Sequence, residues 1–279
     1  MRVLVTGANG QLGSELRLVA SVDYLFTDIA ELDISNEDAV IAFVERHGIN
    51  TIINCAAYTN VDRAEEEPEV AKRVNTTAVA LLARVARRYN ARLIHISTDY
   101  VFGAEVFDTP IAESTTPAPL GVYGRTKLLG ERFIEESGCD YVIIRTSWLY
   151  STYGKNFVKT ILRLAEEREE LRVVNDQIGS PTYAKDLASV IVQICEREGF
   201  ESGVYHYSNR GEISWYDFAQ AIVEIGGVKC RVTPCTTAEY GAKAPRPAYS
   251  VLDTTKICKA LRCDIPDWRD SLAECIKSM

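Results

Sequence analysis

The chain has 279 residues, of which 47% are apolar and 25% charged. That composition is expected of a soluble globular protein with enough material for one or two domains. A formal net charge of −8 speaks against nucleic acid as a partner, and no apolar run approaches the length of a membrane span.

The N-terminus starts directly on a short strand, Val3-Leu4-Val5, without a signal-peptide pattern, so a cytoplasmic protein is expected. A glycine loop follows at once, Gly7-Ala8-Asn9-Gly10-Gln11-Leu12-Gly13, and a helical stretch continues from Ser14 to Val19. G-x-x-G-x-x-G is a variant of the dinucleotide fingerprint. Gly7 permits the tight turn, Gly10 lets the backbone approach a pyrophosphate, and Gly13 lets the helix lie close to the sheet. The helix start, at Gln11 and Leu12, offers unpaired N–H groups and a positive dipole end to the phosphates.

A second strand, Tyr24-Leu25-Phe26, leads to Asp28, twenty-one residues after Gly7. That is the place for an acid on the adenosine ribose. It favours the free 2′-hydroxyl of NAD, and no arginine or lysine follows closely to receive a 2′-phosphate. Asp33-Ile34 is expected beside the adenine. The third strand, Thr51 to Cys55, runs into Ala56-Ala57-Tyr58, small residues first, which let a cofactor pass close to the backbone. Helices are expected over Asn36 to His47 and, as one long element, over Pro68 to Asn90. Leu93 to Ser97 and Tyr141 to Arg145 read as strands. Strands alternating with helices imply an α/β fold, a Rossmann-like doubly wound parallel sheet with ligands at the strand C-termini. Thr98-Asp99 and Arg145-Thr146-Ser147-Trp148 lie at such ends.

Between those two ends lies Tyr123-Gly124-Arg125-Thr126-Lys127, preceded by Pro117 and Pro119 and leading into a helical pattern that runs towards Gly138. Helix positions i and i+4 share a face, with Cβ atoms roughly 5–6 Å apart. At about 5 Å and an effective dielectric of about 20, an ammonium attracts a phenolate by roughly 3 kcal/mol. That would lower the phenol from about 10 by roughly two on the pKa scale, towards the working range of a general acid. Y-x-x-x-K alone is a common surface spacing. Beside a nucleotide fingerprint and hydroxyls at strand ends, it points to a site.

The second half shows amphipathic helices over Asn156 to Arg168, Asp186 to Glu198 and Ser214 to Ile225, with Ser214 as an N-cap. A dinucleotide-binding domain over 1–149 and a smaller C-terminal substrate-binding domain over 150–279 are expected, with room for later segments to return to the first. The eight cysteines form no C-x-x-C, and the three histidines show no metal-ligand spacing, so reduced thiols are expected.

Ser97-Thr98-Asp99-Tyr100-Val101-Phe102, Val122 to Lys127, Arg145 to Tyr150 and Asn175 to Thr182, with the N-terminal loop, resemble the extended short-chain dehydrogenase/reductase superfamily. Within it they are most similar to the dTDP-4-dehydrorhamnose reductase family, and Arg246-Pro247 and Pro266-Asp267-Trp268 continue the match. The resemblance implies a hydride from NADPH or NADH to C4 of a dTDP-4-keto-6-deoxysugar, making dTDP-L-rhamnose for cell-surface polysaccharide. It implies Tyr123 as general acid. Lys127 would bind the nicotinamide ribose and stabilise the tyrosinate, with Thr98 a donor to the C4 oxygen. Asp99 and Trp148 would contact the sugar. Asn175-Asp176-Gln177 and Arg246 stand equally as substrate contacts or as turn and surface residues.

Some members of the family dimerise around magnesium held by three glutamates. Glu15 and Glu274 match two of these positions, but Lys185 stands at the third. A cation there predicts no metal and a monomer or weak homodimer. The related 4,6-dehydratases resemble a Thr-Asp-Glu pattern whose glutamate removes the C5 proton; here Tyr100 follows Asp99. A dehydratase or epimerase of the same fold, or a non-catalytic nucleotide-binding regulatory subunit, stand as alternatives.

Overall fold

Runs of Val, Ile and Leu form the centre of the molecule. They are β1 (Val3–Thr6), β2 (Tyr24–Phe26), β3 (Thr51–Asn54), β4 (Arg92–Thr98) and β5 (Asp140–Thr146). In the computed structural model, which describes residues 1–20 and 23–279, these strands join Gly203–His206 in one six-stranded sheet. Its order is Gly203–His206, β5, β4, β3, β1, β2, and every pairing is parallel. A parallel sheet must be covered on both faces, and here it is.

Alternate residues of each strand serve opposite faces. Val3 and Val5 pack with Leu12 and Leu16 of α1 (Gln11–Val19), whereas Leu4 packs with Val40 and Val44 of α2 (Glu37–His47). Next come α3 (Val61–Glu66), α4 (Pro68–Lys72), α5 (Ala78–Arg88) and α6 (Val122–Ser137). Leu82, Val85 and Ile134 from α5 and α6 complete the second face. Each fully buried aliphatic side chain contributes roughly 1.5–3 kcal/mol, so these stripes fix which way α6 faces. The strand order reverses between β1 and β3, and the resulting crevice opens at their C-terminal ends, where ligands of open α/β sheets bind.

The second half of the chain does two things. It returns to the main sheet through Gly203–His206 and through α8 (Ala184–Glu196), whose Leu187 and Ile191 share a core with α1. It also builds a separate core from α7 (Phe157–Glu167), α9 (Trp215–Ile225) and Trp268–Lys277. That core lies against a parallel ladder of Glu170–Val174 with Arg231–Cys235.

The long helix expected over Pro68 to Asn90 is not uniform. A π-turn, Arg73–Thr77, separates α4 from α5, and α5 ends at Arg88; Asn90 has φ 50, which no helix continues. The π-turn widens the helix where it meets α6. Asn75 Nδ2 donates to Thr126 Oγ1 at 3.3 Å, and Thr76 Oγ1 donates to Thr126 O at 2.7 Å. A Cβ on Gly130 would collide with Asn75 O. The irregular turn therefore seats α6. No helix among the described residues is long and apolar enough to cross a membrane.

Candidate active site

The nucleotide end is built first. Gly7 has φ +65, and a Cβ there would lie 2.6 Å from Ala56 N. The ends of β1 and β3 approach so closely that only glycine fits. Gly13 acts differently from expectation. Its Cβ would lie 2.5 Å from Ala8 Cα, so it closes α1 onto its own loop rather than onto the sheet. Gly10 is the Ncap of α1 and has no side-chain cap, which leaves the first N–H groups of the helix open to an anion. The Leu12 side chain is buried in the core, so only its backbone can serve that anion. Gln11 Oε1 accepts from Asn156 Nδ2 at 3.0 Å.

Asp28 Oδ2 accepts from Asn9 N at 2.8 Å, which ties the second strand to the glycine loop. Gly7, Asp28, Asp33, Ile34 and Ala56 line one cavity of about 140 Å³. The Asp33 carboxylate turns to its own loop, where Ser35 Oγ and N donate at 2.7 and 2.9 Å. Those bonds hold it below the usual carboxylate range. Ala57 is half-buried beside this cleft. Tyr58 is fixed by Asn75, which accepts from its N–H at 2.9 Å and donates to its carbonyl at 3.0 Å, while its hydroxyl donates to Glu67 Oε2 at 3.0 Å. Arg73, from the π-turn, lines the same cavity as Asp28. It stands far along the chain from Asp28, which no arginine or lysine closely follows.

At the C-terminal end of β4, Thr98 Oγ1 donates to Asp99 Oδ1 at 3.0 Å and accepts from Tyr100 N at 3.2 Å. Asp99 is 2% exposed, and its Oδ2 has no hydrogen-bond partner among the described residues. Burial pushes its carboxyl up to about 6 against the pull of the nearby Ser250 and Thr98 hydroxyls. Tyr123, Lys127 and Glu131 form a stripe along α6, one turn apart, and all three are buried. Tyr123 meets the edge of the Tyr100 ring at 5.4 Å. Burial pushes the phenol up to about 12; the Thr98 hydroxyl pulls it down and Asp99 pushes it further up.

Here the expectation that Lys127 draws the phenol down is not met. The Lys127 Nζ donates to Ile96 O at 2.7 Å and lies 3.1 Å from His95 Nε2. Burial pushes the amine down to about 8, opposed by Glu131 and Cys55. Each group has been taken out of water, and this desolvation sets both: the phenol rises and the amine falls.

The stripe is held from below by a buried ion pair that the sequence pattern did not reveal. Arg145 Nη2 donates to Glu131 Oε2 at 2.6 Å, and its Nε to Glu131 Oε1 at 3.0 Å. Ser97 Oγ also donates to Glu131. His206 Nδ1 faces Ile111 O at 3.0 Å, which leaves Nε2, 3.4 Å from Arg145 Nη1, as an acceptor.

Trp148 has φ 46, an outlier for an aromatic residue. Its ring stacks on Trp215 with centroids 3.6 Å apart and planes at 13°. Trp215 in turn lines a cavity of about 870 Å³ with Phe157, Gln177, Tyr240 and Arg246. Arg246 Nη2 pairs with Asp62 Oδ2 at 2.9 Å. Asp176 accepts from Thr237 N and Oγ1 at 2.9 and 2.6 Å, so it ties its loop to the start of the helix Thr237–Tyr240, whereas Gln177 and Arg246 face the cavity.

At the third glutamate position, Lys185 Nζ pairs with Glu274 Oε1 at 2.5 Å. Glu15 is buried, and its Oε1 accepts from Ser151 Oγ at 2.6 Å. Among the described residues no three His, Cys, Asp or Glu side chains converge as metal ligands.

The parallel sheet, the glycine loop at its switch point and the buried Tyr123–Lys127 stripe define a Rossmann-like protein of the short-chain dehydrogenase/reductase class. The chain belongs to the family described as RmlD substrate binding domain, whose model matches residues 1–279. It is 44% identical over 285 residues to a dTDP-4-dehydrorhamnose reductase of Aggregatibacter actinomycetemcomitans, covering 97% of each chain. It is 42% identical to the spore coat polysaccharide biosynthesis protein SpsK of Bacillus subtilis, over 98% of this chain and 96% of that one. The crystal structure of a dTDP-4-dehydrorhamnose reductase from Bacillus anthracis in complex with NADP superposes with a TM-score of 0.94 at 41% identity, covering 100% of this chain and 99% of that one.

Proposed function

We propose that the protein reduces the C4 ketone of dTDP-4-dehydro-L-rhamnose to dTDP-L-rhamnose, in the cytoplasm, with NADPH or NADH. The observation that carries this reading is the cluster of Thr98, Tyr123 and Lys127 at the end of β4, on the same edge of the sheet as the cavity lined by Gly7 and Asp28. When bound, the reduced nicotinamide supplies a hydride to C4. As charge grows on the ketone oxygen, Tyr123 gives it the phenolic proton and Thr98 hydrogen-bonds it. A proton donor placed there contributes about 10²–10⁴-fold. A phenol pushed up to about 12 stays protonated at neutral pH and is loaded for that transfer. Lys127 then supports the tyrosinate. The free Oδ2 of Asp99 takes a sugar hydroxyl, and Trp148 walls the sugar. The larger cavity suits the nucleotide: Phe157, Trp215 and Tyr240 offer faces to the base, and Arg246 a fork to the diphosphate.

Gly7, Gly10, Gly13 and the start of α1 hold the pyrophosphate, and Asp28 the adenosine ribose. Arg73 beside Asp28 offers a cation to the 2′-phosphate that distinguishes NADPH. A charge-assisted hydrogen bond contributes about 1.5–3 kcal/mol. Arg73→Ala is therefore expected to raise the KM for NADPH by about tenfold or more and to leave that for NADH nearly unchanged. Equal losses for the two cofactors would remove Arg73 from this role.

The Lys185–Glu274 pair supplies within the chain the charge that a bound cation would bring, so we read the enzyme as metal-independent and as a monomer or weak homodimer. Dialysis against EDTA should leave turnover unchanged; loss of turnover restored by magnesium would contradict this. The reaction itself is tested by incubation with dTDP-4-keto-6-deoxyglucose, its C3/C5 epimerase and each reduced cofactor, with NMR of the product. dTDP-L-rhamnose is expected, and recovery of the keto sugar unchanged would refute the assignment.

A further inference from the structure

One buried acceptor in the larger cavity is left free, and the bonds behind it fix which atom it is. Gln177 lines that cavity and is 5% exposed. Its Nε2 lies 2.9 Å from Thr237 Oγ1, and Thr237 Oγ1 lies 2.6 Å from Asp176 Oδ1. Burial raises the Asp176 carboxyl, but the bonds from the Thr237 hydroxyl and N–H outweigh it and hold the group below its ordinary value. Asp176 is therefore ionised at neutral pH and only accepts. A hydroxyl has one proton, and that of Thr237 goes to the carboxylate. Towards Gln177 the Thr237 oxygen can only accept, so the amide must present its NH₂ group. Turning the amide over would set oxygen against oxygen. The carbonyl oxygen, Oε1, is thereby left for the cavity, and no described residue donates to it.

We infer that Gln177 selects the base of the nucleotide: its Oε1 accepts the N3–H of a pyrimidine-2,4-dione and rejects cytosine, with Thr237 and Asp176 as positioning residues that set the amide. The inference deepens the nucleotide reading of this cavity given above and rests on it. The other parts of the ligand do not answer to a fixed carbonyl. A diphosphate only accepts, and it pairs with a guanidinium such as Arg246 instead. A sugar hydroxyl rotates, donates and accepts, so it meets either end of an amide equally well. Only a rigid edge needs the amide to be locked. Thymine and uracil carry one ring N–H between two carbonyls, whereas cytosine has a bare acceptor nitrogen at that place. Apolar walls from Ile161, Leu164 and Val173 line the same cavity and suit the faces of such a ring. The run from Asp176 through Thr237 to Gln177 also polarises the amide, which strengthens Oε1 as an acceptor.

Isothermal titration of the full chain with dTDP, with dCDP and with dTDP methylated at N3 reads this selection without keto sugar or turnover. Wild-type protein is expected to bind dTDP at least about tenfold more tightly than either of the others, the range for leaving one buried hydrogen bond unmade. In Gln177→Ala the affinity for dTDP should fall by about tenfold. The difference between dTDP and its N3-methyl form should vanish there, because the shortened side chain leaves room for the methyl group. Thr237→Val frees the amide to turn and should narrow the preference for dTDP over dCDP. Equal binding of the three nucleotides by wild-type protein, or no binding of dTDP, overturns the inference. So does an N3-methyl penalty that persists in Gln177→Ala, or a base preference unchanged in Thr237→Val. Should Gln177→Ala not fold, the wild-type comparison and Thr237→Val decide. Formation of dTDP-L-rhamnose in the product assay alongside any of these failures would leave the proposed reaction standing and remove Gln177 from base recognition.

Discussion

Tyr123→Phe is expected to lower turnover by at least about a hundredfold while leaving cofactor affinity near normal. The phenyl ring keeps the edge contact with Tyr100 and the burial under α3 and α4 that seat this residue, so only the hydroxyl is lost. Its loss removes the proton donor from the position next to Thr98 but touches none of the groups that line the nucleotide cavity. Single-turnover rates and a binding titration with the reduced cofactor separate the two quantities. Unchanged turnover would remove Tyr123 from the chemistry. An equal loss in cofactor affinity would make it a binding residue instead.

The second large effect concerns the floor of the site. Arg145→Met is expected to destabilise the protein by about 3–5 kcal/mol, the range for stranding one partner of a buried ion pair. Glu131 is 1% exposed and Arg145 4%, so no water replaces the lost guanidinium. The remaining Ser97 hydroxyl satisfies only part of a carboxylate. For a chain of this size that corresponds to a fall in Tm of roughly 10 °C. Because Glu131 shares the α6 stripe with Tyr123 and Lys127, turnover should fall as well. The double variant Glu131→Leu with Arg145→Met leaves no stranded charge and should recover most of the stability. If the two changes add instead, the pair is not the buried unit described here.

Much of this architecture is legible in the residues themselves. The glycine loop, the acid at Asp28 and the alternation of strands and helices identify the sheet and its crevice, because each reflects a local rule of backbone or period. The Tyr123–Lys127 spacing correctly puts both side chains on one face. What it does not give is their state. The phenol is raised rather than lowered, because burial acts on both groups and Lys127 turns to Ile96 and His95. Arg73 escapes notice since it enters from an irregular helical turn, and π-turns carry no periodic signature. The Glu131–Arg145 pair joins α6 to β5 across the turn between them, and the hydrogen bond between Asn54 and His95 joins β3 to β4. No spacing rule connects such residues; only the sheet order does. Trp148 is visible as an aromatic at a strand end, but its stack on Trp215 depends on a partner from α9.

The central claim is that this site consumes a reduced nicotinamide for each keto sugar it converts. Purified protein, mixed with a known amount of dTDP-4-dehydrorhamnose and excess NADPH, should oxidise one equivalent of cofactor per sugar, followed by loss of its absorbance. Protein that retains oxidised cofactor through purification and turns over sugar nucleotide with no net oxidation of NADPH would contradict the account.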